Sequence, residues 1–186
     1  RSCETTCPSG VEYGQLLEIG RDVMESKRGK VQALYRYLVR KILLTPIIIK
    51  PVGYFLRHSK VTSKLVKPEK TNSTVLLMGG CVQPSLAPNI NHSIKNILAK
   101  LNIEAQESSQ GECCGALDQH LAASGDAMKK VKRNIDQWVE QLDSGVEAII
   151  SSASGCGVMI KDYPELFESS DPYYEKALFI SSKTKD

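Results

Sequence analysis

No apolar run in this chain is long enough to cross a bilayer. The most apolar stretch, residues 42–49, is interrupted by Thr45 and Pro46 and bounded by Lys41 and Lys50, where a spanning helix needs about twenty apolar residues in succession. No signal peptide is visible, so the cytoplasm is the expected compartment. A phosphate-cradling glycine pattern is missing too: Gly79 and Gly80 run into Cys81 instead of completing G-x-G-x-x-G, which leaves the chain without a flavin or nicotinamide fingerprint. Acidic residues are almost absent between positions 27 and 70, where twelve Lys or Arg stand against Glu69 alone, although the whole chain is only +3. Nucleic acid is not the expected partner of that charge, because Tyr35, Tyr37, Tyr54 and Phe55 make no recognisable stacking platform.

Cysteine is present where a metal site needs it. Cys3 and Cys7 are separated by three residues and Pro8 follows, which is the second half of the ferredoxin signature C-x2-C-x2-C-x3-C-P. The two earlier cysteines of that signature would precede Arg1, so the start reads as the end of a cluster-binding segment, unable to hold a cluster alone. With the usual wiring Cys3 serves the cluster of its own motif and Cys7 that of a partner motif; the plainer reading is a pair of loop cysteines. The vicinal Cys113 and Cys114 could join only in a strained disulfide, which argues for a reducing compartment.

The basic segment carries a helical stripe, Val31, Leu34, Tyr35, Leu38, Val39 and Ile42, and a second piece beginning at Pro46. Such a helix can rest on anionic lipid or an acidic protein, or pack its stripe on this chain's own core. With 186 residues and 41% hydrophobic content the chain has material for one main domain with appended helices.

From Thr74 the pattern alternates. Residues 74–78 (TVLLM), 103–106 (IEAQ) and 147–151 (EAIIS) read as strands. Between them come a helix with Ile90, Ile94, Ile97, Leu98 and Leu101 on one side, and a longer one from Ser124 or Asp126 to Gly145 with Ala127, Val131, Ile135, Trp138, Val139 and Leu142 inward. A last helix follows ASGC and meets Pro164. This order predicts an α/β fold with a small parallel, Rossmann-like sheet. Cys81, Cys113, Cys114 and Cys156 each follow a strand, and the strand C-termini of an open parallel sheet share one edge, so the four sulfurs should meet there. Four thiolates suffice for a 4Fe–4S cluster or for tetrahedral zinc. Asp118 and His120 are expected at surface helix positions, His92 in solvent, and Trp138 in the core.

GGCVQPSLAPNIN, GECCGALDQHL, KRNIDQW and ASGCGVMIKDY, preceded by CETTCPSGVEYGQLLEIGRD, resemble the iron–sulfur subunits of bacterial glycolate oxidases. That family has two ferredoxin-type 4Fe–4S motifs followed by two cysteine-rich CCG domains. The resemblance covers Cys3 to about Tyr163, the basic segment agreeing only in general character. It implies four parts: the end of a ferredoxin-type segment (1–26), a basic helical linker (27–72), a first CCG domain (73–168) and a connector toward a second one (169–186). It also implies an electron-transfer subunit beside FAD-bearing flavoprotein subunits that oxidise glycolate to glyoxylate, with no hydroxy-acid site on this chain. Metal ligands would be Cys3, Cys7, Cys81, Cys113, Cys114 and Cys156. Complexes oxidising lactate or glycerol 3-phosphate are the nearest rivals, and a zinc-stabilised interaction module without redox activity the more distant one. A quinone-linked acceptor or a peripheral site on the inner face of the membrane fits the same picture. One departure stands out: the wider CCG pattern ends in CxxC, whereas Cys156, Gly157 and Val158 are followed here by Met159.

Overall fold

The computed structural model describes residues 4, 6–45, 51, 64–108 and 113–185. Among the described residues the longer elements begin with two helices, α1 (Tyr13–Ser26) and α2 (Lys30–Leu44). Then follow β1 (Ser73–Met78), a short α3 (Gln83–Leu86), α4 (Pro88–Lys100), β2 (Ile103–Glu107), a short α5 (Ala116–His120), α6 (Ser124–Asp143) and β3 (Ala148–Ser151). The chain continues through α7 (Ser154–Lys161), a 3-10 turn (Tyr163–Leu166), α8 (Tyr174–Lys183) and β4 (Thr184–Lys185).

Among the described residues four strands form one sheet in the order β2-β1-β3-β4, every pairing parallel. Val75, Leu76, Leu77 and Met78 form a continuous apolar run because β1 is central and covered on both faces. Leu76 and Met78 join Val131, Ile135, Trp138 and Leu142 of α6 and Ala177 and Ile180 of α8 in the main core. β2 is an edge and carries Glu104 and Glu107, charges suited to an unpaired side. The chain leaves β1 for β2 on one flank and then crosses back to β3 on the other, so the topological switch point lies between the ends of β1 and β3.

The long helix runs as its pattern predicts, with Ala127, Val131, Ile135, Trp138 and Leu142 buried, and stops before Gly145, whose φ of +108° suits only a residue without Cβ. α4 differs. Its buried residues are Asn91 and Ala99, whereas Ile90, Ile97 and Leu101 of the expected stripe are exposed. Residues 169–186, expected as a connector, contain α8 and the edge strand β4, and Ala177 and Ile180 are fully buried in the same core. Most of the second part of the basic segment, including Pro46, Tyr54 and Phe55, lies outside the described residues.

Candidate functional site

The loop Cys113–Cys114–Gly115 follows β2 and opens α5. Gly115 has φ +89°, and a Cβ built on it would stand 3.3 Å from the Ala127 carbonyl oxygen and 3.5 Å from Val131 Cγ2. Both the left-handed backbone and the close approach of α6 therefore require glycine after the paired cysteines. The loop is clamped from below: Asn134 donates its Nδ2 to the Cys113 carbonyl at 3.0 Å and to the Tyr163 hydroxyl at 3.0 Å, and Tyr163 donates to the Cys114 carbonyl at 2.9 Å. Asn134 and Tyr163 are fully buried, and the Tyr163 ring lies nearly parallel to that of Trp138, 9° apart.

The ends of β1 and β3 are tied by a second polar cluster. Gln83 donates to Asn91 Oδ1 at 2.5 Å and to Ser152 Oγ at 2.7 Å, while Asn91 Nδ2 donates to the Gly79 carbonyl at 2.9 Å. This holds the turn that delivers Cys81 beside the loop that delivers Cys156 at the start of α7.

The four cysteines are free thiols and interact in two pairs. Cys81 hydrogen-bonds Cys113, and Cys114 hydrogen-bonds Cys156, with electrostatic coupling also between Cys81 and Cys114 and from Cys156 to Cys81 and Cys113. Hydrogen bonding from Cys81 draws the Cys113 thiol down to about 6, helped by the Gly115 N–H and the Lys130 ammonium and opposed by burial. Cys156 is lowered by its bond from Cys114, while Cys81 and Cys114 are pushed up, first by their partners and then by burial. Each pair thus has one member inclined to thiolate, the form that ligates metal. Among the described residues no group of three or more His, Cys, Asp or Glu stands in metal-binding geometry.

A family model for the cysteine-rich CCG domain matches residues 75–161. That stretch, a little under half of the chain, is similar to CCG cysteine-rich domains. Over its whole length it is 36% identical to the glycolate oxidase iron–sulfur subunit of Escherichia coli K12, of which the alignment covers 50%. It is 25% identical, again over its whole length, to the probable glycolate oxidase iron–sulfur subunit of Bacillus subtilis, covering 51% of that protein. Lactate utilization protein A of an Exiguobacterium is 28% identical over 59% of the chain and 44% of the relative. The chain therefore spans about half the length of the curated relatives it matches over its full extent. No solved structure matches.

The sheet domain brings Cys81, Cys113, Cys114 and Cys156 together. Cys7 lies elsewhere, in the loop before α1, with its Sγ 3.9 Å from the Tyr13 hydroxyl and its thiol lowered chiefly by the N–H of Val11. Cys3 lies outside the described residues. Asp118, expected at the surface, is fully buried between Arg40 and Lys130, because it points from α5 beneath the seated α2. His120 is half exposed and pairs with Glu18 of α1 at 2.7 Å. His92, expected in solvent, lines a cavity of about 290 Å³ with Asn91 and Lys95; its Nε2 is shielded and has no hydrogen-bond partner among the described residues. Asn134, Tyr163, Lys130 and Arg40 were missed as site residues. Asn134 alone left a signal, a polar residue on the inward face of an otherwise apolar helix stripe.

Among the described residues no helix is long and apolar enough to cross a membrane. The stripe of α2 faces outward: Val31, Leu34, Tyr35, Leu38 and Ile42 are exposed, and the helix seats instead through Arg40, which is buried. Of the alternatives open for the stripe, packing on the chain's own core is not the one seen, Val39 alone among its residues being partly buried.

Proposed function

We propose that this chain is part of the electron-carrying iron–sulfur subunit of a flavin-linked hydroxy-acid oxidase, most closely one that oxidises glycolate. The observation that carries the reading is the meeting of four thiols, delivered by the ends of three strands, at the switch point of the sheet. Relatedness along the whole chain to two glycolate oxidase iron–sulfur subunits, one at 36% identity, supports glycolate over lactate, for which the 28% identity extends over 59% of the chain.

The donor chemistry fits a soft metal centre: four sulfurs, two with lowered pKa, receive the N–H groups of Gly115 and Ala116 and one ammonium. Cys81, Cys113, Cys114 and Cys156 would hold the centre, and a 4Fe–4S cluster bound there supplies one-electron exchange. Cys3 would serve a ferredoxin-type 4Fe–4S cluster of its own motif and Cys7 that of a partner motif, each completed by cysteines from outside this chain. The chain's own residues do the positioning: Asn134 and Tyr163 fix the paired-cysteine backbone, Gln83 and Asn91 fix the Cys81 turn, and Trp138 keeps water from beneath. The hydroxy acid would be oxidised on an FAD-bearing flavoprotein partner, with electrons leaving toward a quinone-linked acceptor at the inner face of the membrane.

Metal analysis and electron paramagnetic resonance on anaerobically purified protein test this reading. The expected result is iron and acid-labile sulfide with a reducible signal that Cys113→Ser and Cys156→Ser each remove. Zinc at one per chain, with no reducible iron, would overturn it in favour of a zinc-stabilised interaction module. Faster reduction by lactate than by glycolate in the assembled complex would move the substrate.

A further inference from the structure

Asp118 is a carboxylate with essentially no solvent contact, and a buried charge of that kind persists only where it is compensated. Its two oxygens are divided between cations from separate elements. Oδ1 receives Arg40 Nη1 from α2, and Oδ2 receives Lys130 Nζ from α6. The same Lys130 ammonium stands 3.7 Å from Cys113 Sγ. Arg40 Nη1 also reaches Asp126 Oδ2 at 2.7 Å, and Lys41 joins that carboxylate at 3.2 Å.

We propose that Arg40 of α2 is a positioning residue of the cysteine site: by neutralising one side of Asp118 it leaves Lys130 available to Cys113, so the seated N-terminal helix sets the charge at the paired cysteines. The charges around Cys113 differ with the seating of α2. When α2 is seated, two cations face one buried anion; when it is not, Lys130 alone must satisfy Asp118, and the net positive field at Cys113 disappears. A simple docking ion pair would need only Arg40 with Asp118 and Asp126. The ammonium shared between Asp118 and Cys113 is what ties docking to the thiols.

The test uses the full chain, reduced and free of metal, and compares alkylation of Cys113 by iodoacetate and by iodoacetamide, resolved by peptide mass spectrometry. Both reagents attack the thiolate, so the amount of thiolate cancels in the ratio of rates, and the ratio reads the local charge. Lys130→Met should lower the iodoacetate-to-iodoacetamide ratio by roughly fivefold, Arg40→Gln by about two- to threefold, and Arg40→Lys should restore it to near wild type. An unchanged ratio in Lys130→Met overturns the proposal by itself, and that variant, on a partly exposed helix face, carries the test if Arg40→Gln does not fold. A lowered ratio in Lys130→Met with an unchanged one in folded Arg40→Gln overturns the link to α2. The consequence for a loaded centre rests on the proposed function: in iron-loaded protein both neutral variants should show a more negative midpoint potential by resonance-monitored titration. Protein that takes up no iron while the alkylation ratios shift as expected sinks the functional reading and leaves the coupling standing.

Discussion

The N-terminal helices and the sheet domain are held by opposite physics. In the domain, Leu76, Ile135, Trp138, Ile149 and Ile180 are fully buried, and apolar area removed from water supplies the stability. In the arm, α1 buries no residue, Val31 is 83% exposed and Tyr35 69%, and the contacts with the domain are polar: Glu18 with His120, Arg40 with Asp118 and Asp126, Lys41 with Asp126. The cations that made α2 look like a lipid-facing helix are partly spent inward: Arg36 pairs with Glu25, and Arg40 and Lys41 pair with the domain. Two amphipathic helices of one chain, α2 and α6, therefore orient oppositely, α6 by its apolar face and α2 by its charge.

That contrast can be broken most forcefully from the domain side. Trp138→Ala should cost about 3–5 kcal/mol in chemical denaturation, because it empties the centre of the core beneath the cysteine loop. A loss below 1 kcal/mol would mean that the core is not where domain stability resides. Gly115→Ala should cost roughly 2–3 kcal/mol, combining the positive φ with contact against Ala127 and Val131, and should also disturb the thiol pairs. Tyr163→Phe removes the donor to the Cys114 carbonyl and should cost about 1–2 kcal/mol while leaving the secondary structure intact by circular dichroism.

The arm should respond to acid before the domain loses its apolar core. Asp126 is lowered from 3.8 to about 2, first by its hydrogen bond from Arg40 and then by that from Lys41. Its contribution to docking is fully present above pH 4 and is lost as pH falls through about 2. Amide exchange in α2 should rise across that window while exchange in β1 stays slow; simultaneous loss in both would erase the distinction between the two regions. The smallest effect belongs to the outward face, where Leu34→Ser should change stability by less than about 0.5 kcal/mol in the isolated chain.

Much of the sheet domain was legible in the residues. An unbroken apolar run marked β1 as a strand, the 3.6-residue period placed Trp138 and Ile135 inward, and three strand-to-helix turns each bearing cysteine pointed to one edge. Two-residue β4 was not legible, because a strand that short has no period, and its helix α8 offers only Ala177 and Ile180 as deeply buried anchors. The stripe of α4 misled for a related reason: apolar spacing marks a face, but Asn91 was drawn inward by the Gly79 carbonyl and Gln83, leaving Ile90 and Ile97 outside.

What the sequence alone determined is local: helix period, strand composition, glycine at a turn that needs positive φ, and thiols at the positions where strands end. Tertiary structure alone decided which charges meet. Asp118 and Arg40 are 78 residues apart, Lys130 reaches Cys113 across 17, and Tyr163 reaches Cys114 across 49. Nothing in the local pattern of any of these residues marks its partner, because a buried ion pair or side-chain clamp is selected by the desolvation cost of leaving one member alone, and that cost exists only once the chain has closed around it.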